Sequence, residues 1–270
     1  MKDQAFPSGG SDTGPRSGRS AASDGGVIDF ASWVVALLAA RKQSAEPRLR
    51  PTVMAAFRSA VVDHDAGRME AFLRDLVRQK VSASAVADLY IPALARTLGE
   101  DWLEDRASFF DVTLAASRMQ AMLRAIGMGW SADSGSGPAL PSLLLIVPPR
   151  EQHSLGAMVL LGQLRRLGIS VRLLIAPTAQ ELRRTLVAGS FSGVWISVVG
   201  TDRLAEIPQL VAQVRSVRGA GLPVVVGGAI AHLGKEMLSS TGADAVTADL
   251  DEALSACGIE LDGNSALRRA

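Results

Sequence analysis

Only one cysteine, Cys257, stands in the 270 residues. That excludes an internal disulfide framework and suits a chain that folds in a reducing cytoplasm. Excess charge of one sign is also missing. The 28 Lys and Arg against 27 Asp and Glu leave a formal charge of +1, which gives no electrostatic case for nucleic acid or an anionic membrane. No apolar run approaches the roughly 20 residues that a bilayer-spanning helix needs. The first 26 residues are rich in Gly and Ser and have no apolar core, so they do not read as a signal peptide. The expectation is a cytoplasmic protein. What is present is apolar material, 48% of the chain, enough for one large domain or two ordinary ones.

The chain divides by composition. Residues 1–26 bury too little apolar area to offset ordering entropy and read as a disordered tail. From Val27 the apolar period is helical, with Val27, Phe30, Val34, Leu37 and Leu38 on one stripe and Trp33 beside it. Pro47 and Pro51 separate that segment from helices predicted over Val53–Asp63, Met69–Gln79, Ala83–Leu98 and Phe109–Ile126. Ser108 and Asp111 make a candidate capping box for the last of these. Residues 27–130 are therefore expected to form a helical bundle, joined by a flexible linker at 131–141 to a second domain.

The period changes after Pro141. Leu143–Val147, Val171–Ile175, Val194–Val199 and Leu222–Val226 are short Val-, Ile- and Leu-rich runs, as in strands buried on both faces of a parallel sheet. Leu155–Leu167, Ala179–Ala188 and Leu204–Val217 lie between them as crossover helices, and a weaker strand at Ala245–Thr247 precedes a helix at Asp251–Ala256. Residues 142–258 thus predict a doubly wound, Rossmann-like α/β domain, with 259–270 as a tail. Its ligand is expected outside the carboxyl ends of the strands.

The loops at those ends restrict the ligand. A dinucleotide fold would carry G-x-G-x-x-G after the first strand, where this chain has PPREQHSLG. A phosphoacceptor site would cluster acids there, and only Glu151 is present. No Walker loop occurs. The first loop instead presents Glu151-Gln152-His153-Ser154-Leu155-Gly156, the third strand ends in Ser197-Val198-Val199, and the fourth ends in Gly227-Gly228. Each piece alone is weak, because a histidine after a strand is commonly a surface residue and a Gly-Gly pair commonly a turn. Their order on successive strand ends is the stronger signal.

That order resembles the cobalamin-binding domain shared by methionine synthase, corrinoid mutases and cobalamin-dependent regulators. Its signature runs Asp-x-His-x-x-Gly, Ser-x-Leu and Gly-Gly at successive strand ends. The resemblance implies that cobalamin binds with its benzimidazole tail detached from cobalt and inserted in a deep slot, while His153 serves as lower axial cobalt ligand. Glu151, one methylene longer than the usual Asp, would hold the other ring nitrogen, as carboxylates behind metal-bound histidines do. Gly156 would allow close approach, and Ser154 and Leu155 flank it in the same loop. Ser197 and Thr201 would offer polar contacts and Val199 an apolar wall. Gly227 and Gly228 would leave the slot unobstructed.

The helical half adds a second resemblance. Trp102 falls where related proteins place a tryptophan over the corrin, with Phe109 nearby. The positions of an upper-face Glu-His pair hold Val112 and Thr113. Trp102 and the Phe109-Phe110 pair could equally be bundle core. The stretch GEDW…DRASFFDVT…SRMQ is similar to that of the AerR/PpaA antirepressors of purple photosynthetic bacteria. This implies a light- and oxygen-linked regulator, not an enzyme, that binds a photosystem-gene repressor without binding DNA itself. Aquo- or hydroxocobalamin is then expected rather than adenosylcobalamin. A corrinoid carrier for a methyltransferase is the alternative. His64 and His232 read as surface residues.

Overall fold

The computed structural model describes residues 48–131, 141–233 and 240–260. The tail expected at 1–26, the apolar stripe from Val27 to Leu38, all but the two ends of the linker and the chain beyond residue 260 lie outside the described residues.

Helix α1 (Pro51–Val62) begins on a proline, whose missing N–H costs nothing in a first turn. Helix α2 (Ala66–Arg78) is capped by Asp65, whose side chain accepts from the Gly67 N–H. Ser82 caps α3 (Ala83–Ala85), which runs through a π-type segment, Val86–Tyr90, into α4 (Ile91–Leu103). Pro92 explains the wider turn. It has no N–H for the carbonyl four residues back, and the ladder loosens just before it, with the Ile91 N–H reaching Val86 five residues back. Sequence periodicity ended this helix at Leu98, whereas it continues to Leu103. Helix α5 (Phe109–Ser131) opens on the expected capping box. The Asp111 N–H donates to Ser108 Oγ and the Ser108 N–H to the Asp111 carboxylate, each at 3.1 Å. From the middle of α5, Arg118 donates to the Ala60 and Val61 carbonyls at 3.0 Å, satisfying groups that the end of α1 would leave orphaned. Phe57, Leu76, Tyr90, Leu94, Met119 and Ile126 fill the bundle core.

The second half alternates as expected: β1 (Ser142–Val147), α6 (Leu155–Arg166), β2 (Ser170–Ile175), α7 (Ala179–Ala188), β3 (Gly193–Ser197), α8 (Ile207–Arg218), β4 (Val224–Gly227), β5 (Ala245–Val246) and α9 (Leu250–Ala256). All pairings are parallel, in the order β2-β1-β3-β4-β5. Several boundaries differ from sequence expectation by one or two residues, β3 ending at Ser197 rather than Val199, and two differences have identifiable reasons. β4 starts at Val224 because Pro223 has no N–H to give a ladder. The helix expected from Leu204 begins instead at Ile207, after a 3-10 segment, Thr201–Glu206.

Two apolar clusters cover the two sheet faces. Leu144, Ile146, Ile196 and Val226 pack under α7 and α8, and Leu143, Leu145, Trp195 and Val225 pack under α6 and α9. Helix α6 has a second apolar side, because Val159, with Leu155 and Met158, joins the bundle core. It is therefore held between the sheet and the bundle. A buried ion pair, Arg166 with Asp88 of the π-type segment at 2.5 Å, ties its far end to the bundle. Burial pushes the Asp88 carboxyl up, against the pull of the Arg166 charge. Among the described residues no helix is long and apolar enough to cross a membrane.

Candidate cofactor site

The sheet order reverses direction between β1 and β3, and open α/β sheets bind ligands at such a switch point. A cavity of about 610 Å³ lies there, bounded below by the strand ends and above by α4 and α5 of the bundle. The loop from β1 to α6 brings His153 to its mouth.

Glu151 organises that loop. Its side chain is only 2% exposed and lies 2.7 Å from His153 Nδ1. It also accepts from the backbone N–H groups of His153 at 2.9 Å, Val199 at 3.0 Å and Gly200 at 3.4 Å. Burial works to raise the carboxyl, but these donors outweigh it and hold Glu151 at about 2. A carboxylate can only accept, so the Nδ1 proton of His153 points to Glu151, leaving Nε2 as the nitrogen with a free lone pair. The ring is 65% exposed and is thus presented rather than packed. Glu151 reaches it despite the extra methylene.

Below the mouth the cavity lining continues as a slot between the sheet face and helices α6 and α9. Ser197 and Gly227 stand in register at the ends of β3 and β4. Leu145, Trp195 and Val225 stand in register two residues further in, on the same face. Two residues of strand are about 7 Å, which sets the depth. Gly156 and Leu160 of α6 and Ala253 of α9 line the opposite wall.

The two glycines at the end of β4 and directly after it have another reason than leaving room. A Cβ at Gly227 would lie 2.9 Å from the Thr247 carbonyl oxygen, and one at Gly228, with φ +99°, would strike the Val198 carbonyl. They are demanded by the closeness of neighbouring backbone. Gly156 differs. No atom lies within 4 Å of the place a Cβ would occupy, and the same holds for Gly99 on α4. One bare position from each domain therefore faces the cavity. An imidazole with a fixed tautomer, a slot and this open gap fit a corrinoid.

The other expected site residues divide. Trp102, half exposed at the end of α4, and Val112 on α5 line the cavity, as do Ser154, Leu155 and Val199. Gln120 of α5 donates to Ser154 Oγ at 3.2 Å, bridging the domains. Phe109, Thr113 and Thr201 do not line it. Phe109 is 74% exposed at the opening of α5, one turn before Val112. Thr113 is rotated about 100° from Val112 on the helix and donates to the Phe109 carbonyl at 2.7 Å. Thr201 is exposed in the 3-10 segment, because Glu151 fastens Val199 and Gly200 and the chain turns off directly after them. Phe110 is not core either, being exposed and stacked on His64. His64 and His232 are both exposed.

Sequence reasoning missed Gly99, Gln120, Trp195 and the turn Thr247–Leu250 after β5. That turn lines the rim, with Thr247 Oγ1 donating to Glu252 at 2.5 Å and accepting from the Asp249 N–H at 3.0 Å. Its signal was its place, since every loop after a parallel strand opens on the same edge.

The B12 binding domain family matches residues 141–257. An uncharacterized 20.5 kDa protein in the bchF-crtJ intergenic region of Rhodobacter capsulatus is 40% identical over 175 residues, covering 65% of this chain and 91% of that protein. Among solved structures, the monomethylamine corrinoid protein of Methanosarcina barkeri is similar with a TM-score of 0.60 at 12% identity, over 76% of this chain and 96% of that one. The latter is a likeness of fold. With His153 at the mouth of a slot between sheet and helices, residues 141–257 of this chain are a B12-binding domain, and the chain is a relative of the Rhodobacter capsulatus protein.

Proposed function

We propose that this chain is a cobalamin-holding antirepressor of the AerR/PpaA kind. It would act in the cytoplasm on a photosystem-gene repressor in response to light and oxygen, with no turnover and no DNA contact of its own. The observation that carries the cofactor part is the Glu151–His153 pair at the mouth of the interdomain cavity. The regulatory part is supported by the relative whose gene lies between bchF and crtJ, and by the residues on the bundle side.

Bound cobalamin would supply a cobalt centre whose upper ligand changes with light. His153 Nε2 would hold the lower axial position, with Glu151 keeping the ring's other proton and its orientation. Trp102 and Val112 would cover the upper face with apolar surface. The Thr113 hydroxyl is turned to its own helix, so neither position offers an imidazole or carboxylate above. This favours aquo- or hydroxocobalamin over adenosylcobalamin. A change above the corrin would be felt by α4 and α5. It would become a signal only if the two states differ in affinity for the repressor.

The second reading, a corrinoid carrier for a methyltransferase, is favoured by the half exposure of Trp102, which leaves the upper rim open to a partner enzyme. One experiment separates the readings. The purified chain is loaded with hydroxo-, methyl- or adenosylcobalamin, passed through a sizing column in dark and light, and assayed for repressor release. Hydroxocobalamin should co-elute, and His153→Ala should weaken its retention at least tenfold and shift its absorption bands. A chain that elutes colourless in every case ends the cofactor reading. Light-independent loading combined with methyl transfer from a partner enzyme would select the carrier.

A further inference from the structure

The slot beneath His153 has a floor unlike its walls. Its lining includes four small residues, Ser197, Gly227, Gly156 and Ala253, beside Leu160. Two residues in, β3 places Trp195 between Leu145 and Val225. It is the bulkiest side chain in the slot and 4% exposed. Its ring is also tethered. The indole N–H donates to Cys257 Sγ at 3.1 Å, and Cys257, directly after α9, is itself buried. Gly193 makes room for the sulfur, since a Cβ there would overlap it. Sulfur is a weak acceptor, so what this contact supplies is orientation. Without it the indole N–H would be buried with no partner.

We propose that Trp195 is the specificity-determining floor of the slot, the surface on which the planar nitrogen heterocycle ending the cofactor's tail packs, and that Cys257 positions the indole for that contact. This deepens the cobalamin reading and rests on it. The depth of about 7 Å, two residues of strand rise, is on the scale of one fused ring pair. The apolar lining suits an aromatic face, with the Ser197 hydroxyl as a polar group at the mouth. The small residues of the lining admit the ring, and the indole stops it.

The test compares cobalamin with cobinamide, which keeps corrin and cobalt but lacks the tail. Affinities are read from corrin absorbance on titration of the full chain. The wild type should bind cobalamin at least tenfold more tightly than cobinamide. Trp195→Leu should lower cobalamin affinity about tenfold, the scale of a lost aromatic stack, and leave cobinamide within twofold. Cys257→Ala, which keeps the ring but frees it, should lower cobalamin affinity by about threefold, and Cys257→Ser, which restores an acceptor, should recover most of that. A merely structural role would weaken both corrinoids alike. Equal losses, or no loss in either variant, overturn the proposal. If Trp195→Leu fails to fold, the Cys257 pair decides the matter by the same ratio. A wild type that binds both corrinoids equally overturns the floor alone, and one that binds neither overturns the cofactor reading with it.

Discussion

Glu151 keeps a negative charge in surroundings whose dryness alone would neutralise it. Three backbone N–H groups and an imidazole supply the compensation, so the carboxylate is at once an orienter of His153 and a clasp between the β1 and β3 loops. Its value of about 2 lies below the ordinary 4.5. A depressed carboxyl stabilises the fold fully above its unfolded value and loses that contribution as pH falls toward the folded one. Glu151→Gln should therefore flatten the acid-unfolding curve between about pH 4.5 and 2, and reduce cobalamin affinity by about 10–100-fold. Circular dichroism against pH and a corrin titration read the two effects. Unchanged affinity would mean that something else orients the ring. His153 and Glu151 were legible in the sequence because two residues of spacing on one loop fix their meeting. The reason for Gly227 and Gly228 was not, since Val198 and Thr247 reach them only through the folding of adjacent strands.

At the level of elements, period and capping carried most of the information. The box at Ser108 and Asp111 located the start of α5, and the alternation of apolar runs with helices located the five strands. Helical phase was a poorer guide to which side chains meet the cavity. Val112 does and Thr113 does not, a rotation of one residue, while Phe109 overshoots the rim by one turn. Gly99 passed unnoticed because a glycine inside a helix has no periodic signature. Its location yields a prediction with two opposed signs. Gly99→Leu should strengthen α4 by about 0.5–1 kcal/mol through backbone entropy, raising Tm by about 2 °C. It should also lower cobalamin affinity at least tenfold by filling the open space that Gly99 leaves in the cavity wall. A variant that is stabilised and still binds normally would show that α4 does not border the occupied space.

For the whole molecule, composition predicted two domains and the structure joins them through one helix. Helix α6 gives Ala157 and Leu164 to the sheet core and Val159 to the bundle core. Thermal unfolding of the full chain should accordingly be one calorimetric transition with matching van't Hoff and measured enthalpies. Two separated transitions would contradict this. Residues 141–260 expressed alone should associate more than the full chain in light scattering, because Leu155, Met158 and Val159 lose their cover. The two halves are not interchangeable modules. A cap borrowed from another protein would have to bring its own complement to that row of side chains, or leave it in water beside the very loop that presents His153.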